Sequence, residues 1–203
     1  MTPGSGVAGE YVRQGLDRAA RAVERTRLRV AASPRALDPD AALSGLPETP
    51  RVLFLCHGNI CRSPLAERYA RECDEAGAAR FDSAGFVRED GRTSPSQAID
   101  VAAQYGIDLT THRSTRVTDD LLAESDLVVL MDLRNRQHLH REFPDHADRA
   151  HFMHAFSDAD AVEIDDPYDG GWRAFDAAYE SVTGAVERLV AGLDRPERVA
   201  GPA

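Results

Sequence analysis

A thiol and a guanidinium lie six positions apart in one short stretch, Val52-Leu53-Phe54-Leu55-Cys56-His57-Gly58-Asn59-Ile60-Cys61-Arg62-Ser63-Pro64. The apolar run that ends at Cys56 reads as a buried strand, and Ser63-Pro64 opens a segment that reads as a helix. Between them, Cys56 and Arg62 face one small cavity suited to a tetrahedral dianion. Cysteine is a nucleophile only as thiolate. The turn supplies backbone N–H groups that can converge on one anion, and the helix start directs its positive end to the same point. Arg62 adds a permanent charge with a planar fork for two phosphate oxygens, and the Ser63 hydroxyl can donate to the thiolate. Gly58 and Asn59 are the residue types that best tolerate the positive φ such a loop needs. His57, Ile60 and Cys61 complete the cradle. Donors that hold the thiolate also stabilise charge on a transferring phosphoryl group, so the spacing points to attack on phosphorus by sulfur.

The elements that must position this loop alternate. Strands are predicted at Val52–Leu55, Phe81–Ala84, Leu127–Met131 and Ala150–Met153, with helices at Ser63–Ala78, Ser94–Tyr105, Leu133–Phe143 and Trp172–Leu193. That order implies an α/β fold: a four-stranded parallel sheet with helices on both faces. Ligands of such sheets bind at the carboxyl ends of the strands, where strand order reverses, and the Cys56 loop leaves the first strand at such an end. Residues 1–50 read as an N-terminal extension with a Gly/Ser-rich start, an Arg-rich amphipathic helix over about 11–32 and a Pro-punctuated linker. The enzyme domain is expected over 51–195 and a tail over 196–203. The Arg-rich helix reads as a docked or solvated helix rather than a membrane or partner anchor.

Composition narrows the classes. The 203 residues carry a net charge of −10, with 24 arginines and no lysine. Residues 1–50 hold seven arginines against six acidic residues, whereas residues 51–203 hold 17 against 28. An acidic body argues against nucleic acid, which needs a basic face. No apolar run approaches a membrane span, no signal-peptide pattern opens the chain, and a cytoplasmic location is expected. Three cysteines, two of them inside one loop, suit catalytic or redox use rather than a disulfide framework.

On these residues the chain resembles the low-molecular-weight protein tyrosine phosphatase family over 51–193. That family's loop pattern V-C-x-G-N-x-C-R-S-P is met by Leu55 through Pro64, with Leu for Val the one departure. Further matches are Ser83-Ala84-Gly85, Gly106-Ile107-Asp108 before Thr111-His112-Arg113, and Met131-Asp132. Rhodanese-like and dual-specificity phosphatase loops share the Cys-to-Arg spacing, but here the histidine follows the cysteine and the loop opens the domain. The resemblance implies a flavodoxin-like fold, a cysteinyl-phosphate intermediate and no cofactor or metal. It also implies phosphotyrosine proteins as partners, a tyrosine kinase among them.

A phenolate leaving group needs a proton, so a carboxylic acid is required across from the thiolate. Asp165-Asp166-Pro167-Tyr168 is the candidate, and the family's acid loop maps onto Asp166-Pro167-Tyr168, with Asp165 the rival. By the same resemblance His112 holds Asn59 by a hydrogen bond, unless it is a surface histidine. Tyr168 then walls the cleft, while Asp169 stands where relatives often have a second aromatic and is expected to repel acidic peptides. In the loop 86–93 only Phe86 offers an aromatic to the substrate. Cys61 is either a reversible disulfide partner of Cys56 or a small buried side chain, and Cys73 reads as core. Five histidines between 138 and 154 fit no compact metal motif and read as solvated. Two competing readings are an arsenate reductase of the same fold and a non-catalytic phosphotyrosine-binding module. The first needs cysteines near the end of the third strand, where Leu130-Met131-Asp132-Leu133 has none. The second would be expected to lack the nucleophile or the acid.

Overall fold

The apolar runs become four parallel strands in a single sheet: β1 (Arg51–Cys56), β2 (Arg80–Gly85), β3 (Leu127–Leu130) and β4 (Ala150–Phe152), in the order β2-β1-β3-β4. This computed structural model describes residues 34–158 and 161–194. The Arg-rich helix and the tail expected from the sequence lie outside those residues. Among the described residues six α-helices accompany the sheet: α1 (Pro39–Leu43), α2 (Arg62–Cys73), α3 (Ser96–Gln104), α4 (Asp119–Ala123), α5 (Leu133–Glu142) and α6 (Gly171–Leu193).

β1 and β3 are continuous apolar runs because both faces of the sheet are covered. Val52 and Phe54 face a core shared with Leu65 and Ala70 of α2, Val101 of α3, and Phe175, Tyr179 and Val186 of α6. Leu53 and Leu55 alternate to the other face and are also buried. Each such side chain contributes roughly 1.5–3 kcal/mol by leaving water. The register fixes the site: Cys56 pairs with Gly85, and Leu55 with Leu130. From β1 the chain crosses first to β2 on one side and then to β3 on the other. The carboxyl end of β1 is therefore the switch point of the sheet.

Four local details depart from the sequence-based expectation. Within the stretch read as linker, Pro39 is the first residue of α1, where its missing N–H costs nothing. Asp38 caps that helix through its carboxylate, Ala42 is buried, and Leu43 packs against Gly192 of α6. α2 stops at Cys73 rather than Ala78 because the Asp74 carboxylate takes the N–H groups of Ala78 and Ala79 at 2.8 and 3.1 Å, forming a turn with Gly77 at φ +66°. α3 starts after Pro95, since the residue before a proline is pushed out of helical geometry. α4 was not anticipated, although Thr118 is its N-cap, with the hydroxyl accepting from Leu121 N–H at 3.2 Å.

Candidate active site

The loop from Cys56 to Arg62 joins the end of β1 to the first turn of α2. Asn59 adopts φ +52° and is the one non-glycine residue at positive φ among the described residues. Its side chain is fully buried, and every polar atom has a partner. Nδ2 donates to Ser63 Oγ at 3.0 Å and to Ser83 Oγ at 2.8 Å, while Oδ1 accepts from Thr115 N–H at 2.8 Å. The carbonyl of Asn59 lies 2.7 Å from Nε2 of His112, which donates to it. Burial pushes the His112 pKa down, only partly offset by this bond to the Asn59 carbonyl, so the ring is held neutral.

These bonds aim two donors at sulfur. The Asn59 N–H lies 3.2 Å from Cys56 Sγ and the Ser63 hydroxyl 3.1 Å. Both donate to the sulfur, and the N–H groups of the first turn of α2 have no helical partner of their own. The end of β2 presses against the back of the loop. A Cβ on Gly85 would sit 2.7 Å from Asn59 N and 2.9 Å from the Gly58 carbonyl carbon. Those neighbours are backbone, so only glycine fits. The Ser83-Ala84-Gly85 match carried this signal without its reason.

Arg62 is 1% exposed and held on three acceptors. Nη1 donates to Asp132 Oδ2 and to the Ile164 carbonyl, both at 2.7 Å, and Nη2 pairs with Asp166 Oδ2 at 3.0 Å. Burial penalises the charge, but Asp132, then Cys56 and Asp166, outweigh it and hold the guanidinium pKa above its ordinary value. Asp132 also caps α5, with Oδ1 accepting from Asn135 N–H at 2.7 Å. The Met131-Asp132 match was noted from the sequence. The pairing of its carboxylate with Arg62 was not.

A cavity of about 420 Å³ opens over the sulfur, lined by Cys56, His57, Gly58, Ile60, Cys61 and Arg62 of the loop, with Asp166, Tyr168 and Asp169 from the acid loop. Val87, Arg92 and Arg134 complete it. Of the two acid candidates, Asp166 lines this cavity and Asp165 does not. Tyr168 stands 56% exposed. Burial pushes the Cys61 thiol up, with the neighbouring Cys56 adding to the effect, and all three cysteines are free.

Two sequence expectations are corrected here. Phe86 does not line the cavity; it is buried against His138, ring centroids 5.2 Å apart, and Val87 takes the wall. The histidines of 138–154 are not uniformly solvated. His151 and His154 are buried, because β4 and the turn after it lie inside the fold, and His138 stacks on Phe86 and meets the His57 ring at a tilt. No cluster of metal-ligating side chains occurs among the described residues.

A parallel sheet whose switch-point loop wraps a cysteine and an arginine, faced by an aspartate, defines a class of cysteine-dependent phosphate-handling proteins. Residues 51–199 match the family model for the low molecular weight phosphotyrosine protein phosphatases, and the chain belongs to that family. It is 34% identical over 157 residues to low molecular weight protein-tyrosine phosphatase A of Mycobacterium tuberculosis, covering 73% of this chain and 93% of the relative. Among solved structures it is similar to the Erwinia amylovora tyrosine phosphatase AmsI, with TM-score 0.65, 28% identity, and coverage of 72% of this chain and 95% of that one. It is also similar to the arginine phosphatase YwlE of Geobacillus stearothermophilus, with TM-score 0.66, 26% identity, and coverage of 73% and 95%.

Proposed function

We propose that this member of the family hydrolyses phosphotyrosine monoesters with Cys56 as nucleophile, Arg62 and the loop as phosphate cradle, and Asp166 as acid and base. The supporting observation is the convergence at one cavity of a sulfur with two donors, a pinned guanidinium and a carboxylate. The Cys56 thiolate attacks phosphorus, the bond to the aryl oxygen breaks, and Asp166 delivers its proton to the departing phenolate. The cysteinyl phosphate then meets water. Asp166 takes a proton from the water as its oxygen bonds to phosphorus, the S–P bond breaks, and inorganic phosphate leaves. The loop N–H groups and Arg62 hold the equatorial oxygens in both steps. Because Asp166 is ion-paired with Arg62, it must turn from that guanidinium to reach a leaving group.

Tyr168, exposed at the rim, offers a face for the substrate ring and favours an aryl phosphate. The phosphotyrosine protein itself, a tyrosine kinase by family resemblance, and a cytoplasmic setting belong to this reading too. An arsenate reductase relay finds no support at the end of β3, where Asp132 is committed to Arg62 and the third cysteine lies on α2.

The test is phosphate release from p-nitrophenyl phosphate and a phosphotyrosine peptide by wild type, Cys56→Ser and Asp166→Ala, with phosphoarginine alongside. Cys56→Ser should be inactive, and Asp166→Ala should lose about 10²–10⁴-fold in turnover, the scale of a general acid. Turnover of phosphoarginine with none of the aryl phosphate would replace this reading, and binding without turnover would make the protein a recognition module.

A further inference from the structure

Two guanidinium groups at the mouth of the Cys56 cavity have no carboxylate partner among the described residues. Arg92 and Arg134 both line it, from different elements: the loop after β2 and the first turn of α5. In a region with 28 acidic residues against 17 arginines, two cations on one cavity without a carboxylate partner among the described residues call for a ligand. Arg62, the third guanidinium of the cavity, is neutralised by Asp132 and Asp166.

Arg92 is held in place. Its N–H donates to Ser114 Oγ at 3.0 Å, its carbonyl accepts from Ser114 N–H at 2.9 Å, and the preceding Gly91 N–H donates to the Ser114 carbonyl at 2.8 Å. Its side chain lies over Gly58 and donates from Nη2 to the Gly58 carbonyl, while Nε is buried without a partner. Arg134 is exposed, and Nη2 lies 3.4 Å from Nε2 of His57. Burial first, then the charge of Arg134 itself, keeps His57 neutral, so the ring orients the arginine without cancelling its charge. Among the described residues, Asp169 is the one carboxylate lining the cavity that is not paired with Arg62, and it follows Tyr168 in the acid loop.

We propose that Arg92 and Arg134 form a second anion subsite, selecting phosphotyrosine peptides that carry a further anionic group beside the phosphotyrosine. That group is an acidic side chain or a second phosphate, since both present oxygens to a guanidinium fork. This reverses the expectation drawn from Asp169 alone, and it rests on the phosphotyrosine reading above.

Three peptides on one scaffold test it: phosphotyrosine with neutral neighbours, with glutamate neighbours, and beside a non-hydrolysable phosphonate analogue of phosphotyrosine. The readout is the ratio of kcat/KM for each anionic peptide to that for the neutral one, taken within each variant. An exposed charge pair changes affinity by up to about fivefold, so two arginines should give a wild-type ratio of about 5–20 at low salt. Arg134→Gln should lower the ratio a few-fold, Arg92→Gln/Arg134→Gln should bring it near one, and Arg134→Glu should lower it below the Gln value. Raising the salt should shrink the ratio in wild type and leave the double variant unmoved. A preference for the glutamate peptide identifies a carboxylate ligand, and one for the phosphonate peptide a second phosphate. A wild-type ratio of one or less, or a ratio that survives in the double variant, overturns the subsite. Failure to hydrolyse even the neutral peptide and aryl phosphate would instead sink the phosphotyrosine reading.

Discussion

Asn59→Ala is the substitution whose cost the site geometry specifies most fully. The side chain makes three hydrogen bonds, to Ser63, Ser83 and Thr115 N–H. Losing a protein hydrogen bond costs about 0.5–1.5 kcal/mol, more where a buried partner is left unpaired. Alanine must also hold φ +52°, a left-handed conformation that costs an L-residue with a Cβ about 1–2 kcal/mol. Together these predict a loss of roughly 3–6 kcal/mol, a large share of the 5–15 kcal/mol typical of a domain. Asn59→Gly isolates the backbone part. It loses the same bonds but is free of the strain, while its unfolded chain is looser by about 0.5–1 kcal/mol. Glycine should therefore be as stable as alanine here or more so, the reverse of the usual order. Urea unfolding with linear extrapolation measures both. If the glycine variant falls about 1 kcal/mol below the alanine variant, the positive φ is not what holds this loop, and the reasoning fails.

Other consequences follow from the same geometry. Gly85→Ala places a methyl group against the backbone of Gly58 and Asn59, so it should cost about 1–3 kcal/mol and reduce aryl phosphate turnover by displacing the loop; full activity with unchanged stability would refute this. Asp132→Ala removes one of the two carboxylates that neutralise the buried Arg62 guanidinium and also uncaps α5, and should cost about 3–5 kcal/mol by unfolding titration. Asp132→Asn keeps one acceptor oxygen, enough for the Asn135 N–H cap but not for the bond from Arg62 as well, and should cost less than Asp132→Ala. His112 has a folded pKa below its ordinary 6.5, chiefly through burial. Below that value the unfolded chain binds more protons than the folded one, so this contribution is complete above about pH 6.5 and is lost as pH falls toward the lower folded value. Wild type should therefore lose more stability between pH 7.5 and 5.5 than His112→Gln does, and equal losses would show that His112 is not the group responsible.

The acid loop and the extension show unequal legibility. Cys56, Arg62 and the sheet that carries them could be read because local signals agree: an apolar run, a Gly-Asn turn and a Ser-Pro helix start lie within thirteen consecutive residues. α1 was hidden because proline marks both linkers and first helical turns, and only the burial of Ala42 against the body separates the two. Phe86 was misplaced because an aromatic residue's type says nothing about which neighbour will cover it, and His138 does so here.

Sequence alone determined the chemistry of the loop, because nucleophile, guanidinium and turn residues are adjacent in the chain and their spacing is set by covalent geometry. Tertiary structure decided everything that depends on distant segments meeting at one point. Asp132, 70 positions from Arg62, neutralises it, and Gly85 gives the loop room from the end of the neighbouring strand. Arg92 and Arg134, separated in sequence and unremarkable there, come to share one cavity, with no carboxylate partner among the described residues, only when the loop after β2 and the start of α5 converge on it. Such convergence is set by the register and order of the strands, which no short window of residues contains.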